Sequence, residues 1–129
     1  EQIIEEYWGK IETDLKNGNP IQIELLNGVE QNKKYPETFD IPSDEEKSQL
    51  NISDNVKVVD IVFGERFWVQ IEDFISDELM VGTINNYLVF NQPYSYGDKI
   101  FFTNDNIIQT SINEVESEGV ELTKKDENN

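Results

Sequence analysis

The first residues of the chain carry apolar side chains at helical spacing. Positions 3, 7, 11 and 15 are all apolar and lie four residues apart, with Ile4 and Trp8 beside them. This spacing places them in one stripe along a helix. Glutamates lead, lysines trail, and Gly18 offers a C-terminal stop before Pro20. The pattern predicts an amphipathic N-terminal helix.

The next apolar positions fit two interpretations. Ile21, Ile23 and Leu25 alternate as in a strand that ends at Asn27-Gly28, which we favour. Asn19-Pro20 also fits the N-cap and first position of a helix. Residues 33–42 contain two prolines, which favour an extended connector.

Ser43 and Glu46 have the spacing of a capping box, because a side chain at the N-cap bonds the backbone three residues on. This spacing predicts a short helix that runs to about Leu50.

From Asn55 onward, short apolar runs alternate with turn residues. Residues 56–63, 66–75, 79–84 and 99–102 are predicted strands, and residues 107–112 are a candidate fifth. Turn residues at 64–65, 76–78 and 96–98 predict chain reversals. The expected fold class is α+β, a small, strongly bent antiparallel sheet or SH3-like barrel with the amphipathic helix at its N-terminus.

The chain length of 129 residues indicates one domain. We expect a single α+β domain over residues 1–123, with a helical and extended part at 1–34 and a β-rich module at 35–112. Residues 113–123 fit an edge strand or a short helix, and residues 124–129 a disordered tail.

The chain is strongly acidic, with 27 Asp and Glu against 10 Lys and Arg and a formal net charge of -17. Such a charge opposes direct contact with nucleic acid or an anionic membrane and favours a protein partner with a basic surface. The alternative is that acidity serves only solubility. No apolar run is long enough to span a bilayer, and we expect a cytoplasmic location.

The composition also narrows the chemistry. The absence of Cys and His excludes disulfides, thiolate catalysis and the commonest metal ligands. Carboxylates at 72, 73, 77 and 78 are best interpreted as solvated turn charges rather than a catalytic pair. Residues 104–106 fit a turn better than a calcium site. We therefore expect no cofactor, no metal and no catalytic residues.

The stretch GERFWVQIEDF contains the only arginine. In a strand, Phe67, Val69 and Ile71 share an inward face, whereas Arg66 and Trp68 share the opposite face. One interpretation is structural, with Arg66 paired to a carboxylate and Trp68 packed beneath the N-terminal helix. The other is direct contact with a partner.

A second aromatic group lies in residues 85–98, a polar segment that contains a proline. Tyrosine supplies a large contact area at small entropic cost, so it is common in interfaces. The segment either closes one end of the barrel or recognises a partner. The candidate partner-binding residues of the whole chain are Arg66, Trp68, Tyr87, Phe90, Tyr94 and Tyr96.

Four short motifs occur in a consistent order, namely IPSDEE from residue 41, VKVV from residue 56, ERFWV from residue 65 and GDKIFF from residue 97. Over residues 35–108 the chain thereby resembles an uncharacterised bacterial family, classified only as a domain of unknown function. The resemblance implies a small β-rich module and brings no activity or catalytic residues. Residues 53–55 depart from the glycine that such members usually have before the first strand.

Small acidic bacterial domains of this type are similar to immunity proteins, which neutralise a toxin encoded beside them. We therefore expect a non-enzymatic protein-binding domain that occludes a cognate bacterial toxin. The alternatives are an inhibitor that mimics nucleic acid and blocks a defence nuclease, and a carboxylate-dependent hydrolase.

Overall fold

The structure, a computed structural model, describes residues 2–112, with side chains described from Glu5 onward. Three α-helices occur in this range, α1 (Gln2–Lys16), α2 (Gly28–Lys34) and α3 (Asp44–Ser48). The predicted N-terminal helix is α1, which ends just before Gly18 at a positive φ of 77°. Half of the predicted capping box starts α3, where the Ser43 hydroxyl accepts a hydrogen bond from the Glu46 amide, while the Glu46 carboxylate accepts from the Thr110 hydroxyl.

The sheet contains five antiparallel strands, in agreement with the predicted fold class. Their order across the sheet is β4-β3-β2-β1-β5. The strands are β1 (Asn55–Asp60), β2 (Glu65–Phe74), β3 (Leu79–Ile84), β4 (Lys99–Thr103) and β5 (Gln109–Thr110). Strands β1 to β4 are connected in sequence, and β5 returns to pair with β1.

The sheet does not close into a barrel. Residues 21–26 instead cross from one edge region to the other and touch the sheet at two isolated bridges, Ile21 to Ile100 of β4 and Leu25 to Asp60 of β1. The alternation predicted the buried positions of Ile21 and Ile23 correctly, but not a regular strand. These residues cover the gap between the edges without completing a ladder.

The predicted strand end at Asn27-Gly28 is instead a helix start. The Asn27 side chain accepts a hydrogen bond from the Glu30 amide and caps α2, so the same dipeptide that forms hairpin turns begins a helix here. The alternative helix beginning at Pro20 is absent from this region, and the predicted connector loses residues 33–34 to the end of α2.

One face of the sheet forms the core. Phe67, Val69 and Ile71 are almost fully buried, as their alternation in β2 predicted, and Ile11 packs on them from α1. Gly82 of β3 lies opposite Ile71, where a Cβ atom would be 2.5 Å from the Val69 Cγ1 atom. The core therefore lies between the inner face of the sheet, α1 and residues 21–26.

Several strands end earlier than predicted, and β1 stops at Asp60 for a local reason. The Asp60 Oδ1 atom accepts hydrogen bonds from the amides of Val62 (2.7 Å) and Phe63 (3.1 Å), which turn the chain. Gly64 completes this turn at a positive φ of 76°, and Gly97 has the same role before β4 at 94°. The predictions for residues 113–129 lie outside the described residues.

Candidate protein-binding surface

Residues 85–97, which together with Asp98 connect β3 to β4, form a closed loop that we call the aromatic loop. Its ends meet where the Gly97 amide donates to the Ile84 carbonyl (2.9 Å) and the Ile84 amide donates to the Asp98 carbonyl (2.8 Å). Compact loops with neighbouring ends pack on their own side chains and are frequently functional. The aromatic loop is therefore a defined element rather than a loose connection.

The outer side of the aromatic loop is apolar and exposed. Tyr87 and Val89 are both 82% exposed, and Phe90 and Tyr96 are also open to solvent. The Tyr87 and Tyr96 rings stack with centroids 4.7 Å apart, which joins the two arms of the loop. An exposed apolar group of this size is typical of an interaction site.

The aromatic loop also lacks charge. Residues 85–97 contain no Asp, Glu, Lys or Arg, although the chain has a formal net charge of -17. Charged residues are depleted at the centres of protein interfaces, where aromatic residues are enriched. The absence of charged residues from this segment could have identified it from the sequence, where only its tyrosines were considered.

A buried carboxylate, that of Glu65 at the start of β2, holds the loop against the sheet. Glu65 is only 5% exposed. Its Oε2 atom accepts from the Val89 amide (2.9 Å), and its Oε1 atom accepts from the Phe90 amide (3.3 Å) and Gln92 Nε2 (2.6 Å). Because hydrogen bonds to a charged acceptor are about twice as strong as neutral ones, this carboxylate orders the loop backbone.

Asp60 lies directly across the β1–β2 pair from Glu65 and is fully buried. Its Oδ2 atom accepts a hydrogen bond from the Tyr94 hydroxyl, while Oδ1 serves the hairpin turn. Burial, followed by the hydrogen bond to Asp60, raises the pKa of Tyr94 far above its ordinary value. Tyr94 therefore stays protonated and donates to Asp60 at all physiological pH values.

Helix α1 reaches the same group of polar residues through Tyr7. The Tyr7 hydroxyl accepts a hydrogen bond from the Glu24 amide (2.9 Å), and burial is the largest cause that raises its pKa. The Asp60 charge adds to that increase. Asp60 therefore lies near two tyrosines, Tyr7 from α1 and Tyr94 from the aromatic loop.

The hairpin turn of residues 61–64 adds to the exposed apolar area. Ile61 and Val62 are exposed, while Phe63 meets the Trp8 ring of α1 edge-on at 5.9 Å. The turn contains no charged residue. Because Asp60 holds this turn and its cross-strand partner Glu65 holds the aromatic loop, both segments lie at the same end of the β1–β2 hairpin. We call their exposed side chains the loop-end surface, formed by Ile61, Val62, Tyr87, Val89, Phe90 and Tyr96.

Three of the predicted partner-binding residues, Tyr87, Phe90 and Tyr96, lie in the loop-end surface. Tyr94 does not, because it is only 3% exposed and packs in the core against Phe67 at 6.0 Å between ring centroids. Because its side chain is buried, Tyr94 presents almost no area to a partner and is not part of the loop-end surface. Its hydroxyl finds a buried acceptor in Asp60, which removes the need for solvent.

Trp68 lies on the outer face of β2 and is half-buried. It shares this face with Arg66, as predicted, and its ring lies under the Lys57 ammonium group, 4.8 Å from the centroid. The Trp68 amide donates to the Asn86 side chain (3.1 Å), so the residue supports the base of the aromatic loop. The predicted packing beneath the N-terminal helix does not occur, because α1 covers the opposite face.

Arg66 is exposed on the same outer face. It lines a cavity of about 400 Å³ together with Asp40 and Glu46. Within residues 2–112, however, the one ion pair joins Lys10 to Asp14 (3.3 Å), so the predicted fork between Arg66 and a carboxylate is not formed there. The structure does not bring Arg66 into the loop-end surface.

A second cavity, of about 430 Å³, lies at the far end of the sheet near Phe74, and we call it the acidic groove. Its lining includes four carboxylates, those of Asp44, Asp77, Glu78 and Asp105, and one cation, Lys47. Among residues 2–112, no group of three or more acidic side chains is arranged to hold a metal ion.

The Asn-rich segment beside the acidic groove, Asn104–Asn106, forms a 3₁₀ turn, in agreement with its predicted conformation. The Asn106 Oδ1 atom accepts from the Thr103 amide (2.8 Å), and the Asn104 carbonyl accepts from the Lys47 ammonium group (3.0 Å). These oxygens serve the fold rather than a cation.

Comparison of the chain with models of protein families, with curated proteins and with solved structures finds no match. No helix within residues 2–112 has both the length and the apolar character needed to cross a membrane.

Proposed function

We propose that this chain is a non-enzymatic binding protein that neutralises a basic bacterial toxin by occlusion, with the loop-end surface at the centre of the contact. One observation carries the proposal. A buried carboxylate, Glu65, is used to order a loop whose other side exposes Tyr87, Val89 and Phe90. Burying a charge to present apolar groups to water is costly for a monomer and useful for an interface.

The charge distribution supports a basic partner. The loop-end surface is uncharged, but exposed acidic residues border it. Glu5 and Glu12 lie on α1, whose Trp8 meets Phe63 of the turn, and the carbonyl of the exposed Glu24 accepts from the Ile61 amide. An apolar centre with an acidic border suits a partner that has an apolar depression beside a basic surface. The acidic residues raise the association rate, and the aromatic residues slow dissociation.

The resemblance to the uncharacterised bacterial family and the analogy with immunity proteins support the same proposal. They contribute the class of the partner, a toxin, which surface chemistry alone does not specify. A cytoplasmic location fits this proposal, since a producing cell must protect its own interior.

A second candidate is an inhibitor that mimics nucleic acid and blocks a nuclease. The acidic groove supports it, because four carboxylates around one cavity resemble the charge of a phosphate backbone. In this case the binding residues are the carboxylates of the groove, and duplex DNA competes with the protein for its target.

The test uses the toxic domain encoded beside the gene for this chain. We expect a 1:1 complex in titration calorimetry, loss of toxin activity, and an association rate that falls at least about tenfold between low and high salt. Competition by duplex DNA would favour the nucleic-acid mimic. A neighbouring toxin that neither binds nor is inhibited would overturn the proposal.

A matched pair of variants locates the contact. Phe90 and Tyr35 are both 53% exposed, but only Phe90 belongs to the loop-end surface. Phe90→Glu inserts a charge at the proposed centre and is expected to abolish measurable binding, whereas Tyr35→Glu leaves it unchanged. Equal effects of the two substitutions would exclude the loop-end surface as the contact.

A further inference from the structure

The aromatic loop contacts Glu65 through three donors, and they come from consecutive parts of one arm. Two are main-chain amides, of Val89 and Phe90, and the third is the Gln92 side chain. The other arm is held differently, because Tyr94 packs in the core and bonds Asp60. The arm that carries most of the exposed apolar groups is anchored at its base by Asn86, which accepts from the Trp68 amide, and by the partly buried Leu88. Beyond these residues the Glu65 carboxylate holds it.

Within residues 2–112, no cation pairs with the buried carboxylate of Glu65. The titratable groups around this site are Asp60 across the β1–β2 pair, Tyr94 of the loop and Tyr7 of α1, with Glu24 beside Tyr7. Neither Asp60 nor Glu65 forms an ion pair within residues 2–112. The loop donors are therefore what stabilises the negative charge, and the charge in turn orients the donors.

We infer that the negative charge of Glu65 holds the aromatic loop in its binding conformation, so that neutralising this one carboxylate releases residues 87–92, beyond the Asn86 anchor, while the sheet stays folded. A protonated or amidated side chain keeps one acceptor oxygen for three donors. Its other polar atom becomes a donor and faces the N–H groups of the loop.

The sheet survives this change because its own contacts do not involve the carboxylate. Phe67, Val69 and Ile71 remain packed, and the β3–β4 ladder ends at the Thr83–Lys99 pair, before the loop begins. Released, the arm no longer keeps Tyr87 stacked on Tyr96. Loss of this arrangement should weaken the contact with a partner. That expectation rests on the proposed function, whereas the release of the loop does not.

The experiment compares Glu65→Gln with Glu72→Gln, an exposed glutamate of the same strand whose carboxylate accepts from the Thr83 hydroxyl (2.7 Å). Amide hydrogen exchange is followed by NMR in the absence of any partner. In Glu65→Gln, exchange of the Val89 and Phe90 amides should accelerate at least about tenfold, with the Val81 and Phe101 amides unchanged. Glu72→Gln should change none of them. Unaltered exchange at Val89 and Phe90 in folded Glu65→Gln would overturn the inference.

If Glu65→Gln does not fold, the wild-type protein provides the test. The carboxyl carbon of Glu65 and the amide protons of Val89 and Phe90 are followed together as the pH is lowered. Their shifts should move with a common midpoint, and Asp60 is followed alongside to separate its contribution. Amide shifts that are independent of the Glu65 carboxyl carbon would contradict the inference.

Partner affinity distinguishes this inference from the proposed function. Lost protection together with weakened toxin binding supports both. Lost protection with unchanged affinity leaves the role of Glu65 intact and removes the loop-end surface as the contact.

Discussion

The aromatic loop and the β2–β3 turn both expose aromatic or branched side chains, but they are built in opposite ways. The turn, residues 75–78, follows the exposed Phe74 and is held by its own Ser76 hydroxyl, which accepts from the Leu79 amide (3.2 Å). Asp77 and Glu78 within the turn, and Asp73 just before Phe74, are charged and exposed. The aromatic loop has no charge of its own and is ordered by a buried carboxylate from another strand.

This difference separates an ordinary exposed turn from a binding element. Charges beside Phe74 keep the turn soluble, and local hydrogen bonds require nothing from the core. The aromatic loop instead uses two buried carboxylates, Asp60 and Glu65, to keep apolar groups at the surface. Exposure alone does not indicate a function, but exposure maintained at the cost of buried charge does.

The largest expected effect comes from removing a carboxylate beneath the loop. Asp60→Ala leaves the Val62 and Phe63 amides and the Tyr94 hydroxyl without their acceptor. We expect a loss of about 3 kcal/mol in the free energy of unfolding, measured by urea denaturation. Asp77→Ala in the β2–β3 turn should change it by less than about 0.5 kcal/mol. Similar losses for the two variants would contradict the distinction between the two regions.

The second prediction concerns binding. Tyr87→Ala should weaken the toxin complex by about 2 kcal/mol, roughly 30-fold in Kd, because a stacked aromatic at the centre of an interface is a typical hot spot. Phe74→Ala should leave Kd within about twofold. Titration calorimetry measures both. The reverse order would move the contact to the acidic groove and favour the nucleic-acid mimic.

The third prediction separates two tyrosines of the same loop. Tyr94→Phe removes the donor to Asp60 and should cost about 1 to 2 kcal/mol of stability, whereas Tyr96→Phe should cost almost nothing. Denaturation at neutral pH measures the difference. A neutral effect at Tyr94 would show that Asp60 is satisfied without it.

Tyr94 also predicts an alkaline effect. The pKa of Tyr94 is raised in the folded state, so its contribution to stability is present below the ordinary tyrosine pKa of about 10 and is lost as pH rises further. Tyr94 should contribute about 1.4 kcal/mol per pH unit to the loss of unfolding free energy, measured by urea denaturation at alkaline pH, and Tyr7, whose pKa is also raised, adds to it. Tyr94→Phe should reduce this slope, and an unchanged slope would contradict the role of its hydroxyl.

The smallest effect is expected at Arg66, which belongs to neither region. Because no carboxylate within residues 2–112 pairs with it, Arg66→Lys should shift Tm by less than about 2 °C. Calorimetry provides the measurement, with Lys57→Gln as a comparison that removes the cation from the Trp68 ring. A large decrease in Tm for Arg66→Lys would instead support the predicted pairing of Arg66 with a carboxylate.

The helices and strands whose patterns arise from residues close together in the chain were predicted from the sequence. The four-residue spacing in α1, the capping by Ser43 and the alternation of Phe67, Val69 and Ile71 all express contacts within a few positions. These patterns determine which face of an element is apolar. They were sufficient for the α+β class and the antiparallel order of the first four strands.

The candidate site depended on tertiary structure. Tyr94 and Tyr96 are two residues apart in one loop, yet one is buried and the other exposed, because Asp60 lies 34 residues before Tyr94 in the chain and beside it in the fold. The sequence placed Glu65 in a turn, whereas in the structure the aromatic loop covers it and donates hydrogen bonds to its carboxylate. Local periodicity and composition were enough to predict α1, α3, the five strands and the acidic charge, but not α2. Only the folded chain decided which polar groups are buried together and therefore which aromatic residues stay exposed.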